Sequence, residues 1–135
     1  MFIYLATYSD VALLILRIAL GAILIAHGWP KLRNLKKTAA DFDQMGFKPG
    51  ALFGSMAAFL EFFGGIAIAA GLMVQPVAAL FVLEFIVITI WRIFKKHTFV
   101  GGWELDFLIL GAVILILSIG AGSYSADAYL SLPGF

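Results

Sequence analysis

The chain has 135 residues, of which 63% are hydrophobic and only 13% are charged. A soluble domain has about half apolar and a quarter charged residues, so this composition excludes an ordinary soluble globular protein and indicates a membrane protein. The net charge of +1, with no basic stripe, argues against nucleic-acid binding. The absence of cysteine excludes disulfides and thiol redox chemistry within the chain.

Four apolar stretches approach the roughly 20 residues that a membrane-spanning helix needs. They cover residues 10–27, 51–73, 76–94 and 103–121. We expect the first stretch to be a retained helix rather than a secretory signal peptide, because no Lys or Arg precedes it and Arg17 interrupts it. The sequence therefore predicts an all-α fold, a polytopic membrane four-helix bundle that forms a single domain over residues 1–135.

The connection between the first two spans carries a weaker helical pattern. Thr38, followed three residues later by Asp41, resembles a helix cap. The apolar residues around it fall on one helical face: Leu35, Ala39, Phe42 and Met45. This pattern predicts a short interfacial helix that ends at Gly46. An ordered polar loop is the alternative interpretation.

Small residues at helical spacing predict the faces by which the spans pack, because they let membrane helices approach closely. In the second span this face holds Gly54, Ala58, Glu61, Gly65 and Ile68. In the first span a similar line holds Arg17, Gly21, Leu24 and Gly28. In the fourth span Gly111 and Ser118 share a face with Glu104. We expect all three faces to be buried against neighbouring helices.

Lys and Arg residues are concentrated in the first and third connections, whereas the second connection and both ends of the chain have none. Both basic connections lie on the same side of a four-span chain. The positive-inside rule predicts that this side is cytoplasmic. Both termini are then expected on the outside.

Three charged residues, Arg17, Glu61 and Glu84, lie inside three different predicted spans. At a rise of about 1.5 Å per residue, their depths below the outer boundary are roughly 10, 18 and 12 Å. An isolated charge at mid-bilayer costs about 2.5–3.5 kcal/mol on insertion scales. We expect the three to meet, with Arg17 bridging one or both carboxylates and one glutamate holding a proton. Such a cluster would form a ligand or proton site, or would only fix helix register.

A second polar group is predicted at the cytoplasmic ends of the spans. Its members are His27, Lys31, Arg92, His97, Glu104 and Asp106. The two acids also suit the positive end of the fourth helix, which explains them without a functional role. Haem ligation by His27 and His97 is conceivable, but histidines near an interface are more often solvated, so we do not expect haem.

The sequence shows no other site of known chemistry. No Glu-x-x-His or His-x-x-x-His spacing is present, so no metal site is predicted. Phosphate-binding loops and nucleophile elbows are also absent, so the chain has no self-contained catalytic motif.

Several segments together resemble the DoxX-like family of small four-helix membrane proteins. They are "LRIALGAILIAHGWPKL", "DFDQMGFKPG", "LEFFGGIAIAAGL" and "GGWELDFLILGAVILILSIGAGSYSAD". The spacing His-Gly-x-x-Lys-Leu is specific, and Arg17, Glu61, His97 and Glu104 also fall at positions of the family's motifs. Glu84 has no clear place in that pattern. The resemblance implies a multi-pass protein of a bacterial or archaeal cytoplasmic membrane, linked to oxidoreductase systems such as a thiosulfate:quinone oxidoreductase.

The resemblance and the buried charges lead to one functional prediction and two alternatives. We predict an integral membrane subunit of an oxidoreductase assembly that contacts quinone through buried Arg and Glu residues, with electrons supplied by a protein partner or a separate cofactor. The first alternative is a non-catalytic scaffold or membrane anchor. The second is a small proton-coupled transporter that acts as a homo-oligomer and titrates at Glu61 and Glu84.

Overall fold

The computed structural model describes residues 8–131, and this part of the chain is helical with no strand. Four helices in it are long and apolar enough to cross a membrane. They are Ser9–Arg33 (α1), Gly50–Ala70 (α3), Val74–Phe94 (α4) and Phe99–Ile119, whose regular part is Glu104–Ile119 (α5). Leu35–Met45 (α2) and Ala126–Leu130 (α6) are shorter. The predicted all-α four-helix architecture is confirmed.

Helices α1 and α3 pack along each other, as do α4 and α5, and the two pairs enclose one apolar core. Its most deeply buried members are Leu24, Ile68, Val74, Phe81, Val113 and Ile116. Large apolar side chains also cover the outside of the bundle: Ile15, Leu83 and Leu108 are 62%, 63% and 68% exposed. Apolar residues on both faces of a helix are what a lipid environment requires.

The predicted packing faces of α1 and α3 are confirmed. Arg17, Gly21, Leu24 and Gly28 are all buried on α1, and Gly54, Ala58, Glu61, Gly65 and Ile68 are all buried on α3. A Cβ atom on Gly21 would lie 2.6 Å from the carbonyl oxygen of Gly65. The two helices therefore approach as closely as the small residues predicted.

The predicted packing face of α5 is wrong. Gly111 and Ser118 are exposed, and no atom lies within 4 Å of a Cβ placed on Gly111. The residues that face the core are Ile109, Val113 and Ile116. Branched side chains therefore make the contact of α5 with the core, and its small residues face outward.

Helix α2 begins three residues before the predicted cap. The Asn34 side chain accepts a hydrogen bond from the backbone N–H of Lys37 at 3.1 Å and so acts as the N-cap. Thr38 instead lies inside the helix, and its hydroxyl is 3.0 Å from the carbonyl oxygens of Lys31 and Asn34. Gly46 ends the helix with a φ of 95°, as predicted.

The first span is longer than its apolar stretch. Helix α1 continues through Pro30 to Arg33 instead of ending near His27. Lys31 is therefore part of the same helix as Gly28. Helix α3 ends at Gly71, which has a φ of 75°.

The end of the bundle where α1 and α4 finish is called the basic end below, because it carries both Lys- and Arg-containing connections. The opposite end is closed by the chain that follows α5. There the Asp127 carboxylate accepts hydrogen bonds from the backbone N–H groups of Met73 at 2.7 Å and Val74 at 3.1 Å. These bonds cap the start of α4, two residues earlier than the predicted start at Pro76.

Candidate functional site

Glu61 lies where α3 departs from regular α-helical geometry. Residues Leu60–Gly64 form a π-helical turn between the α-helical parts Gly50–Phe59 and Gly65–Ala70. Turns of this kind insert an extra residue into a helix and occur frequently at functional sites. Glu61 is 2% exposed, so this turn holds a carboxyl group inside the bundle.

Gly28 allows α1 to pass directly over this turn. A Cβ on Gly28 would lie 2.5 Å from the backbone nitrogen of Phe62 and 2.9 Å from the Cβ of Glu61. Only a glycine leaves room for this approach. Close contact of α1 with α3 at this point brings the next turn of α1 within reach of Glu61.

Lys31, one turn after Gly28, neutralises Glu61. Its Nζ atom lies 2.7 Å from both carboxylate oxygens of Glu61. The Lys31 side chain is 29% exposed whereas that of Glu61 is 2% exposed. Helical side chains lean toward the N-terminus of their own helix, so Lys31 extends from the basic end into the bundle. The pair therefore links a buried acid to a side chain that reaches solvent.

Glu84 of α4 adds a second acid to this pair. Glu61 is ten residues before Gly71 and Glu84 is ten residues after Val74, so the hairpin of α3 and α4 places both about 15 Å from its turn. Glu84 is close enough to Glu61 for a side-chain hydrogen bond, and the charge of Lys31 also acts on it. With both acids ionised, neither Glu84 oxygen has a hydrogen-bond partner among residues 8–131.

Glu61, Glu84 and Lys31 carry a formal charge of −1 together, as two acids and one base. A carboxylate without a partner inside a bundle is costly. A proton on either acid would remove the excess charge and supply the donor for the bond between them. We call these three residues the Lys31 group.

Asp106 connects the Lys31 group to the basic end. The charges of Arg92, His27, Lys31 and Glu61 all act on its carboxylate. Arg92 Nε lies 2.9 Å from Asp106 Oδ2, although its N–H is not directed at a hydrogen-bond acceptor within residues 8–131. The structure thus brings together four of the six residues predicted at the cytoplasmic end, and Lys31 joins them to the glutamates.

His97 and Glu104 lie apart from the Lys31 group. Both are exposed. The His97 ring packs against Trp91 at a centroid distance of 5.6 Å. Glu104 accepts a hydrogen bond from the backbone N–H of Gly101 at 3.0 Å and so stabilises the turn before α5.

Arg17 does not bridge the glutamates, which corrects the expectation drawn from its depth. Its Nη2 atom donates to the carbonyl oxygen of Tyr124 at 2.5 Å, and its guanidinium lies against Gly71 at the turn between α3 and α4. The acid whose charge acts on it is Asp127. Helix α1 begins beyond the end of α3, so a depth counted from Asp10 placed Arg17 too far into the bundle. Glu61 is about 15 Å deeper.

Two residues that hold the buried charges and helix ends in place, Lys31 and Asp127, had only weak signals in the sequence. Lys31 was predicted outside the membrane because the apolar stretch ends near His27, and the continuation of α1 through Pro30 changes that position. Asp127 follows Ser125, which caps α6 and accepts from the backbone N–H of Ala128 at 3.2 Å. A Ser before a short helix is a recognisable cap. The contact of Asp127 with α4, however, depends on the tertiary fold.

Comparison with known proteins agrees with this architecture. A family model described as DoxX matches residues 12–94, which is more than half of the chain and covers α1 to α4. The chain belongs to the DoxX family. A relative from Bacillus subtilis (strain 168), named "Putative oxidoreductase CatD", is 28% identical over 123 residues, which are 90% of this chain and 88% of the relative. No solved structure matches the chain.

Membership of the DoxX family confirms the resemblance seen in the sequence. All three residues of the Lys31 group lie within the matched range. The closing segment after α5 lies beyond the matched range.

Proposed function

We propose that this DoxX-family chain is a membrane subunit of an oxidoreductase assembly, and that the Lys31 group supplies protons to a quinone headgroup. The observation that carries the proposal is the buried carboxyl of Glu84. With both acids ionised it has no hydrogen-bond donor among residues 8–131, and it lies within hydrogen-bonding reach of Glu61, the partner of Lys31. Intramembrane acids of this kind mark proton relays and ligand sites. The name of the Bacillus relative supports oxidoreductase chemistry.

Quinone reduction would require electrons from a partner and protons from this chain. Reduction of a quinone to a quinol consumes two electrons and two protons. A redox partner would supply the electrons, because the chain has no cysteine and no self-contained catalytic motif. Glu84 and Glu61 would hydrogen-bond the quinone oxygens and deliver protons, and Lys31 would stabilise the carboxylate that remains after each transfer.

The route for proton replacement runs toward the basic end. Lys31 is partly exposed and lines a cavity at the basic end together with His27, and the charges of both act on Asp106. Protons taken from Glu61 can therefore be replaced from the solvent at that end. A purely structural role would need only the Lys31–Glu61 pair, and the additional acid on α4 favours the proton-transfer role.

Quinone retention tests the proposal directly. The full chain would be extracted gently from its own membrane and analysed by native mass spectrometry, with an absorption spectrum of the same sample. We expect a co-purifying quinone that is lost in Glu84→Leu, because the apolar side chain cannot hydrogen-bond a quinone oxygen, and retained in the exposed control Glu104→Leu. A wild-type chain that carries lipid but neither quinone nor a redox partner would favour the scaffold role instead.

A further inference from the structure

A polar cavity of about 450 Å³ lies beside the Lys31 group at the basic end, between the end of α1 and the first turns of α2. Its polar lining includes His27, Lys31, Arg33, Asn34, Lys37 and Asp41. The lining holds three cations and one carboxylate, which gives a formal charge of +2 with histidine neutral. The volume is within the range of small-molecule sites.

The cations of this cavity differ in how far they are already neutralised. Lys37 Nζ pairs with Asp41 at 2.9 Å, and Lys31 is shared with Glu61. Arg33 has no ion-pair partner among residues 8–131. The N-terminal end of α2 also opens here, because its N-cap Asn34 is part of the lining. An arginine fork and the positive end of a helix both favour a phosphate group.

We propose that this cavity binds a phosphate group, either from the headgroup of an anionic phospholipid or from a soluble phosphate, and that Lys31 is divided between this ligand and Glu61. Helix α1 spans about 37 Å, which places the cavity at the headgroup level of a bilayer. A bound phosphate would draw the Lys31 ammonium away from Glu61. Phosphate binding would thus regulate proton transfer by the Lys31 group. That regulatory role rests on the proposed function, but phosphate binding itself is independent of it.

Two double variants test the binding with equal loss of charge. Arg33→Gln with Lys37→Gln removes two cations of the cavity. Lys95→Gln with Lys96→Gln removes two exposed cations at the same end, outside the cavity. Affinity for phosphatidylglycerol, phosphatidylcholine and inorganic phosphate would be measured by native mass spectrometry and thermal shift on the full chain in detergent. Circular dichroism would verify the fold of each variant.

We expect the wild type to prefer phosphatidylglycerol to phosphatidylcholine, with a loss of about fivefold per cavity cation removed and a much smaller loss in the control. Tighter binding of inorganic phosphate than of phosphatidylglycerol would identify a soluble phosphate as the ligand, and the reverse order would identify the lipid. Equal losses in both double variants would overturn the proposal, because they would show only general attraction to the basic end. A wild type that neither prefers phosphatidylglycerol to phosphatidylcholine nor binds inorganic phosphate would also overturn it.

The proposed sharing of Lys31 predicts one variant whose phosphate affinity increases instead of decreasing. Glu61→Gln removes the carboxylate that competes for the Lys31 ammonium, so phosphate should bind more tightly to this variant than to the wild type. Unchanged affinity would overturn the proposal that Lys31 is divided between Glu61 and the phosphate. This readout needs no quinone and no redox partner, so it fails or succeeds independently of the proposed function.

Discussion

Gly28 and Lys31, one helical turn apart on α1, determine where the charge of Glu61 is balanced. Gly28 removes the side chain that would keep α1 away from the π-helical turn. Lys31 then reaches both oxygens of Glu61 at 2.7 Å. The His-Gly-x-x-Lys-Leu spacing of the sequence therefore has a physical explanation: it pairs a close helix contact with a cation placed to use it.

Gly28→Ala tests this explanation. The added methyl group would overlap the backbone of Glu61 and Phe62, so α1 and α3 must separate at the site. We expect a loss of about 1–3 kcal/mol in the free energy of unfolding, as for other overpacked sites. Unfolding in mixed detergent would measure it. Gly111→Ala is the matched control, since its methyl group meets no atom within 4 Å, and equal losses in the two variants would contradict the explanation.

The sequence predicted the burial of individual charges better than their partners. Glu61 and Arg17 are buried as their helical faces indicated. The partner of Glu61 proved to be Lys31, because α1 continues through Pro30, and Arg17 binds a backbone carbonyl at the other end of the bundle. Pairing depends on the relative heights of the helices, and those heights cannot be obtained from the residue count within a single apolar stretch.

At the level of elements, the best-predicted features are those with local causes. The spacing of small residues predicted the contact between α1 and α3, and Gly46 ends α2 as expected. The face of α5 was not predicted, because a glycine indicates a close approach only if another helix is near. The π-helical turn at Leu60–Gly64 also has no local signal in the sequence.

Asp127 shows how the segment after α5 supports a distant helix. Its carboxylate accepts hydrogen bonds from two backbone N–H groups at the start of α4 and lies in the field of Arg17. Asp127→Asn keeps the shape but removes the charge and one acceptor, so we expect a loss of about 1–2 kcal/mol in the free energy of unfolding.

Asp41→Asn is the control for this prediction. Asp41 forms an exposed pair with Lys37 on α2, and exposed pairs contribute about 0.5 kcal/mol or less. Unfolding of both variants would be measured in the same mixed detergent. An Asp127→Asn variant as stable as Asp41→Asn would show that α4 does not depend on this cap.

For the whole molecule, the charges form two separate polar regions rather than one cluster. Arg17 and Asp127 stabilise the end where the chain folds back after α5. The Lys31 group reaches from mid-bundle to the basic end, where His27, Arg92 and Asp106 lie. Through the partly exposed Lys31 side chain, this arrangement links the buried acids to the basic end. That the basic end faces the cytoplasm remains a prediction from the positive-inside rule.

The central claim is that Glu61 and Glu84 share a proton next to Lys31. Infrared spectroscopy of the reconstituted chain tests it most directly, because a protonated carboxyl absorbs apart from a carboxylate and its band shifts on exchange into D₂O. We predict one such band at neutral pH that disappears in Glu84→Gln and persists in the exposed control Glu104→Gln. A wild-type spectrum without the band, or a band that survives in Glu84→Gln, would contradict the account.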